Sequence, residues 1–118
     1  MSKITEFLVH QLSKKKLNQI ILSGGNSLNK IYKEFFKIVQ KKKLNIRVFL
    51  TDERCLLKGN KNLNEIFFKK YLNSNFIPIM KNKISFSKAA EIYQKEITNK
   101  PTFILMSVAE DGHIASIF

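Results

Sequence analysis

The sequence predicts a single α/β domain, residues 1–118, built on a parallel sheet. Three short, largely apolar runs, at residues 19–22, 46–50 and 102–108, have the length of strands and little alternation, which is typical of strands buried on both faces. Segments with apolar residues at helical spacing lie between them, and a strand, helix, strand unit of this length implies a right-handed crossover. The chain length suits one domain with a modest core.

The charge of the chain is strongly positive, at +12, but its make-up argues against a nucleic-acid partner. Only two of the 21 basic residues, Arg47 and Arg54, are arginine, and the lysines are scattered through the sequence. Nucleic-acid-binding proteins favour arginine and aromatic residues gathered in a compact patch. We therefore expect no nucleic-acid partner, although the positive charge favours the approach of anionic substrates.

One cysteine and the apolar pattern bear on where the protein works. Cys55 has no second cysteine to pair with, which is typical of proteins from a reducing compartment. No apolar run approaches the length of a membrane span, and the first residues lack the basic and then apolar order of a signal peptide. We therefore expect a cytoplasmic protein with no membrane association.

The first half of the chain gives two helices and two strands in alternation. Apolar residues at helical spacing predict a helix over residues 2–13, with Ser2 as its N-cap. The strand over residues 19–22 follows, and then a helix over residues 28–40, after which three lysines complement the negative end of the helix dipole. The second strand, which follows these lysines, is continuously apolar from Val48 onwards.

The second half of the chain predicts two more helices before the last strand. Asn62 and Glu65 have the spacing of a capping box that opens a helix. Residues 76–80 contain a proline and are predicted as an edge strand or an extended connection. Ser85 or Ser87 caps the last helix.

A glycine pair follows the first strand, in Leu-Ser-Gly-Gly-Asn-Ser at residues 22–27. Glycines allow positive φ and the close approach of a ligand, and the next helix directs its N–H groups and positive dipole end at the turn. Such a corner suits a phosphate, although many α/β proteins turn with glycine and bind nothing there. The stretch matches neither the Walker pattern nor the dinucleotide pattern.

Charged residues follow the second strand, in Thr-Asp-Glu-Arg at residues 51–54. Open α/β sheets place ligand contacts at the carboxyl ends of their strands. The planar guanidinium of Arg54 suits a phosphate or a carboxylate. The alternative is that the two carboxylates and Arg54 pair with one another.

A sharp turn at Asp111 and Gly112 follows the third strand and delivers His113. A histidine with a pKa near neutrality can take a proton from water, and a nearby carboxylate can orient it. The alternative is that His113 only caps the turn. Because parallel strands end at the same edge of a sheet, we expect all three of these segments to meet in one crevice.

Together these blocks resemble the 6-phosphogluconolactonase family. The resemblance is carried by residues 22–27, by Thr-Asp-Glu-Arg-Cys at 51–55 with Asn64, and by Glu-Asp-Gly-His-Ile-Ala-Ser-Ile-Phe at 110–118. It implies a Rossmann-like parallel α/β fold with flanking helices, shared with the amino-sugar-phosphate deaminases. It also implies hydrolysis of 6-phosphoglucono-δ-lactone to 6-phosphogluconate in the pentose phosphate pathway, with no metal and no organic cofactor.

The resemblance also assigns roles to individual residues. It makes His113 the general base that activates water, with Asp52 and Asp111 orienting polar groups. The substrate and its phosphate would contact Ser23, Gly24, Gly25, Asn26, Ser27, Arg54, Asn64 and Gly112.

Two alternatives to the lactonase stay open at this point. The related deaminases share Asp-Gly-His-Ile-Ala but continue to a glutamate where this chain has Phe118, and they have Asp-Glu-Tyr where this chain ends on Arg54. Both differences favour the lactonase. The other alternative is a sugar-phosphate-binding module that has lost catalysis.

The chain departs from the family pattern at several places, including Leu28 in place of a proline and Leu63 in place of a serine. Ser107 and Ala109 stand where the family has glycines, and a side chain there is strained if the backbone has positive φ. The resemblance also covers only about the first half of a typical family member, so we expect an apparently truncated sheet with an unpaired edge. Self-association would complete such a sheet.

Overall fold

The computed structural model describes residues 1–98, 100–108 and 110–112. In chain order, its elements are α1 (Lys3–Ser13), β1 (Asn18–Leu22), α2 (Asn29–Lys41), β2 (Ile46–Leu50), α3 (Glu65–Leu72), a short 3-10 helix (Asn73–Asn75), α4 (Phe86–Glu96) and β3 (Phe103–Leu105). The strands form one parallel sheet in the order β2-β1-β3, so the predicted parallel α/β architecture with flanking helices is confirmed.

The sheet brings the carboxyl ends of all three strands to the same edge. β1 is the central strand, paired in parallel with β2 from Asn18 to Leu22 and with β3 from Ile20 to Leu22. The pairing continues past the strands, because Thr51 N donates to Leu22 O at 3.0 Å and Ser23 N donates to Leu105 O at 2.9 Å. The segments that follow the three strands therefore start side by side.

The core includes an aromatic cluster where α2 and α3 meet. Tyr32, Phe35 and Phe36 of α2 are fully buried, because the helical period places them on one face of the helix. Phe68 of α3 packs against this face, with its ring centroid 5.5 Å from that of Tyr32 and 6.1 Å from that of Phe36. This packing fixes the start of α3 relative to the glycine turn that precedes α2.

The helix N-termini follow the sequence prediction at two places and depart from it at one. Ser2 and Ser85 cap α1 and α4, each accepting a backbone N–H three residues later. The predicted capping box of Asn62 and Glu65 is wrong, because α3 begins at Glu65 and its N-cap, Asn64, makes no capping bond through its side chain. The backbone N–H groups of Asn64 and Glu65 donate to the carboxylate of Glu53 instead.

The third strand also differs from its prediction. Its ladder covers Phe103–Leu105 alone, and Ile104 and Val108 are 49% and 63% exposed. The reason is its place at the edge of the described sheet, where only β1 pairs with it. At the opposite edge, Phe76 forms a single parallel bridge with Val48, which confirms the predicted edge or extended character of that segment.

Candidate functional site

A cavity of about 380 Å³ lies between the glycine turn, the segment after β2 and the start of α3. Four of the predicted phosphate-binding residues line it, namely Gly25, Asn26, Arg54 and Asn64. A second cavity of similar size, between residues 56–58 and the start of α4, contains none of the predicted site residues in its described lining. The first cavity is therefore the candidate site.

The two glycines of the turn meet different requirements. A Cβ on Gly24 would lie 2.6 Å from Cγ and Nδ2 of Asn64, so a side chain at this position would overlap that of Asn64 unless one of them shifts. Gly25 has open space around it but a φ of +95°, a conformation that side chains disfavour. Gly24 thus joins the turn to α3, and Gly25 sets the direction of the chain along the cavity.

Ser23, at the start of the turn, is held by contacts within the protein. It is buried, its carbonyl oxygen accepts a hydrogen bond from the Tyr32 hydroxyl at 2.6 Å, and its Oγ lies 3.1 Å from Oγ of Ser107. Burial raises the pKa of Tyr32 well above its ordinary value, and the hydrogen bond to Ser23 offsets only part of this rise. The phenol therefore stays protonated and acts as a donor. The contact with Ser107 ties the segment after β3 to the glycine turn.

Ser107 shows no sign of the strain expected where the family has glycine. Its φ is not positive, whereas the described residues other than glycine that do have positive φ are Lys43, Asn73 and Lys83. Its side chain instead makes the contact with Ser23. Ala109, the other departure, lies outside the described residues.

The N-terminus of α2 opens toward the cavity without a capping side chain. Leu28 occupies the N-cap position with no side-chain bond, and the first turn contains no acidic residue. Asn29, at the first helical position, lines the cavity and donates weakly to Asn26 Oδ1 at 3.4 Å. The positive end of the helix dipole is therefore left for an external anion.

Two cations face the same cavity. Arg54 is exposed and lines it together with Lys61, a residue that the sequence did not single out. Within the described part of the chain, neither side chain forms an ion pair. The predicted alternative, that Arg54 pairs with its neighbouring carboxylates, does not hold for Glu53, which accepts backbone N–H groups.

The loop that carries these cations is also held by a buried carboxylate. Glu65 is fully buried, and its Oε2 lies 2.8 Å from Nζ of Lys58 and also contacts Lys69 one turn along α3. Breaking a buried ion pair of this kind costs several kcal/mol, roughly 3–5. Lys58 therefore anchors the middle of the loop to α3.

The remaining predicted residues lie near the edge of the sheet but outside the described lining of the cavity. Asp52 is half-buried and accepts the Thr51 hydroxyl at 3.0 Å. Ser27 is exposed in the glycine turn, and Asp111 and Gly112 are exposed in the turn after β3, where Gly112 has a φ of +89°. The predicted base, His113, lies outside the described residues.

The sequence did not assign Lys61 or Asn29 to the site, although both line the cavity. Lys61 is one lysine among many, and Asn29 is one of many asparagines, so neither carried a signal. No group of three His, Cys, Asp or Glu residues in the described ranges is arranged to hold a metal ion. None of the described helices is long and apolar enough to cross a bilayer.

Comparisons with known proteins agree with one another. The sequence model of the glucosamine-6-phosphate isomerases/6-phosphogluconolactonase family matches residues 1–118. The 6-phosphogluconolactonase of Borreliella burgdorferi is 32% identical over a match that covers 96% of this chain and 54% of that protein. The chain thus spans about half the length of this relative.

Solved structures share the fold at lower identity. The crystal structure of 6-phosphogluconolactonase from Thermotoga maritima superposes with a TM-score of 0.81 at 23% identity, over 98% of this chain and 58% of that one. A monomeric glucosamine-6-phosphate deaminase gives a TM-score of 0.79 at 15% identity, over 94% of this chain and 52% of its own. These two structures establish the architecture of the chain. The sequence matches, rather than the structures, identify its family.

Proposed function

Because the chain belongs to the glucosamine-6-phosphate isomerase/6-phosphogluconolactonase family, we propose that it hydrolyses 6-phosphoglucono-δ-lactone to 6-phosphogluconate. This reaction is a step of the oxidative pentose phosphate pathway, which takes place in the cytoplasm. One observation carries the proposal within the family: Arg54 lines the cavity beside the glycine turn, at the position where the deaminases have tyrosine. A guanidinium there suits a phosphorylated substrate.

The phosphate of the substrate would bind at the glycine turn. The uncapped N-terminus of α2 supplies N–H groups and a positive dipole end, and Arg54 and Lys61 supply two charges from the opposite wall. Arg54 can bind two phosphate oxygens at once, whereas Lys61 contributes a point charge. Asn26 and Asn64 add amide groups that can reach the sugar hydroxyls.

The lactone ring would extend from the phosphate toward the turn after β3, where the sequence places Asp111 and His113. In the proposed step, His113 takes a proton from water as the water oxygen bonds to the lactone carbonyl carbon. The bond between that carbon and the ring oxygen then breaks, and the proton passes to the ring oxygen, giving a carboxylic acid and an alcohol. The contact of Ser23 with Ser107 supports this placement, because it ties the segment that leads from β3 toward that turn to the glycine turn.

The test is hydrolysis of 6-phosphoglucono-δ-lactone by the purified chain, measured as acid release above the spontaneous rate. We expect His113→Ala to lower kcat by about 10²- to 10⁴-fold, the usual contribution of a general base. The matched control is His10→Ala, which changes the other histidine, exposed on α1, and should leave the rate unchanged.

Three results, from this assay or from a parallel assay with glucosamine 6-phosphate, would contradict the proposal. Equal rates for the wild type and His113→Ala would remove His113 from the mechanism. Ammonia release from glucosamine 6-phosphate would favour the deaminase. If the lactone is hydrolysed no faster than it is spontaneously, and the chain still binds phosphosugars, the chain is a binding module without catalysis.

We also propose that the chain self-associates through the exposed edge of β3. An apolar groove of about 370 Å³ runs beside this strand, lined by Ile4 and Phe7 of α1 and by Phe103, Ile104 and Leu105. A second copy presents the same strand edge and the same groove, so a two-fold axis through the edge makes the surface complementary to itself. Such pairing would satisfy the edge and cover the groove.

A further inference from the structure

The carboxylate of Glu53 accepts three hydrogen bonds from backbone N–H groups. Its Oε1 accepts hydrogen bonds from Arg54 N at 2.8 Å and from Asn64 N at 2.6 Å, and its Oε2 accepts one from Glu65 N at 2.8 Å. Hydrogen bonds from N–H groups to a carboxylate are about twice as strong as neutral ones. One side chain thus holds two backbone segments that are ten residues or more apart in the sequence.

These contacts close the loop that forms one wall of the cavity. Arg54 and Asn64 stand at the two ends of this loop, and Lys61 lies within it. All three line the cavity, so their separation across it depends on how firmly the loop is closed. Asn64 is constrained a second time, because its side chain packs against Gly24 of the opposite turn.

The same carboxylate also directs where an anion can bind. It occupies the N-terminus of α3, whose dipole end it neutralises, while the N-terminus of α2 has neither a cap nor an acidic residue in its first turn. A phosphate that enters the cavity therefore finds one open helix terminus rather than two.

From these contacts we infer that Glu53 is a positioning residue, which holds Arg54 and Asn64 at the separation that a sugar phosphate requires. The inference rests on the proposed function for the identity of the ligand. Glu53 acts through the backbone of these two residues and does not touch the substrate. Its negative charge opposes anion binding, so its benefit must come from the geometry it imposes.

That opposition gives the test a clear sign. In Glu53→Gln the charge is removed, and one of the two acceptor oxygens becomes an amide that donates, so at least one backbone N–H loses its partner. A purely electrostatic role predicts tighter binding of an anion by this variant. A positioning role predicts weaker binding.

The experiment measures the affinity of 6-phosphogluconate, the stable product, by calorimetry on the whole chain. We expect Glu53→Gln to weaken binding about tenfold, the size of one lost charge-assisted hydrogen bond. Glu53→Asp, which keeps the charge but shortens the side chain, should also weaken it. The control is Ser85→Ala, which removes the cap of α4 outside the cavity and should leave affinity unchanged. Unchanged or tighter binding by Glu53→Gln would overturn the inference.

Amide hydrogen exchange of Asn64 and Glu65 separates this inference from the proposed function. We expect both amides to lose protection in Glu53→Gln and to keep it in Ser85→Ala. If the wild-type chain binds no 6-phosphogluconate, the proposed substrate is refuted. The inference about Glu53 is then tested only by the hydrogen exchange of the two amides, which reports loop closure. Retained protection in Glu53→Gln refutes the inference whatever the substrate.

Discussion

At the scale of single residues, adjacent positions of the glycine turn are restricted for unrelated reasons. Gly24 lacks space for a side chain because Asn64 packs against it, and Gly25 has the space but a backbone conformation that disfavours one. The sequence shows only a glycine pair. Variants that separate the two causes test whether the turn and α3 are in fact packed together.

We expect Gly24→Ala to lower the free energy of unfolding by about 1–3 kcal/mol, because the new methyl group overlaps Asn64. Adding Asn64→Gly should restore most of this loss, since it removes the atoms that clash. Gly25→Ala should cost about 1–2 kcal/mol through backbone strain, and Asn64→Gly should not relieve it. Urea denaturation of the single and double variants measures both effects, and an absence of rescue at Gly24 would contradict the packing.

Arg54→Ala should raise KM for the phosphorylated lactone by about 10- to 100-fold, the range for loss of hydrogen bonds to a charged group. The unphosphorylated lactone should be little affected, because it lacks the anion that Arg54 binds. Arg47→Ala is the matched control. It removes the only other arginine and the same net charge, but Arg47 lies over the ring of Phe49 and not at the cavity. An unchanged KM for Arg54→Ala would exclude Arg54 from phosphate binding.

At the scale of elements, side chains from helices complete the hydrogen bonding of the sheet. The hydroxyl of Tyr93, from α4, accepts a bond from Leu50 N at 2.6 Å and donates one to Ile77 O at 3.1 Å. Burial raises the pKa of this phenol well above its ordinary value, so it stays a neutral donor and acceptor. α4 is therefore hydrogen-bonded to the end of β2. Residues 51–54 follow this end and lead to the cavity.

Tyr93→Phe should lower the free energy of unfolding by about 2–4 kcal/mol, because it leaves a buried N–H and a carbonyl without their partner while keeping the ring contact with Phe49. Tyr71→Phe is the control, since the Tyr71 hydroxyl makes no hydrogen bond within the described residues. Chemical denaturation measures both. Equal stability of the two variants would show that water replaces the Tyr93 hydroxyl at no cost.

At the scale of the whole molecule, the described sheet has one exposed edge on a chain of strongly positive charge. Ile104 on β3 is half exposed, beside the apolar groove formed with α1. Exposed strand edges with apolar neighbours favour association, whereas charge repulsion between like molecules opposes it. The proposed self-association therefore depends on salt as well as on concentration.

We expect the wild-type chain to dimerise at micromolar concentration, more strongly as salt screens the charge, and Ile104→Lys to raise the dissociation constant at least about tenfold. Leu57→Lys is the matched control, because it adds the same charge at a residue that is 78% exposed and outside the described lining of the groove. Sedimentation velocity distinguishes the species. A well-folded wild-type monomer at micromolar concentration would end the proposal.

The sequence by itself determined the elements, their order and the segments that carry the candidate site. Helical spacing, strand-length apolar runs and the glycine pair are local signals, and the first two helices and β2 fall within a residue or two of their predicted bounds. Arg54 stood out because arginine is rare in this chain. The role of His113, which lies within residues 113–118, remains a prediction from the family resemblance.

The tertiary structure alone decided which common residues matter. Lys61 lines the cavity while most other lysines do not, Glu53 rather than a capping box holds the start of α3, and Asn64 packs on Gly24. Each of these facts is a contact between segments distant in sequence, and so is the exposure of β3, which follows from its place in the strand order. Local patterns cannot encode such pairings, because they arise only when the parallel strands bring their ends together.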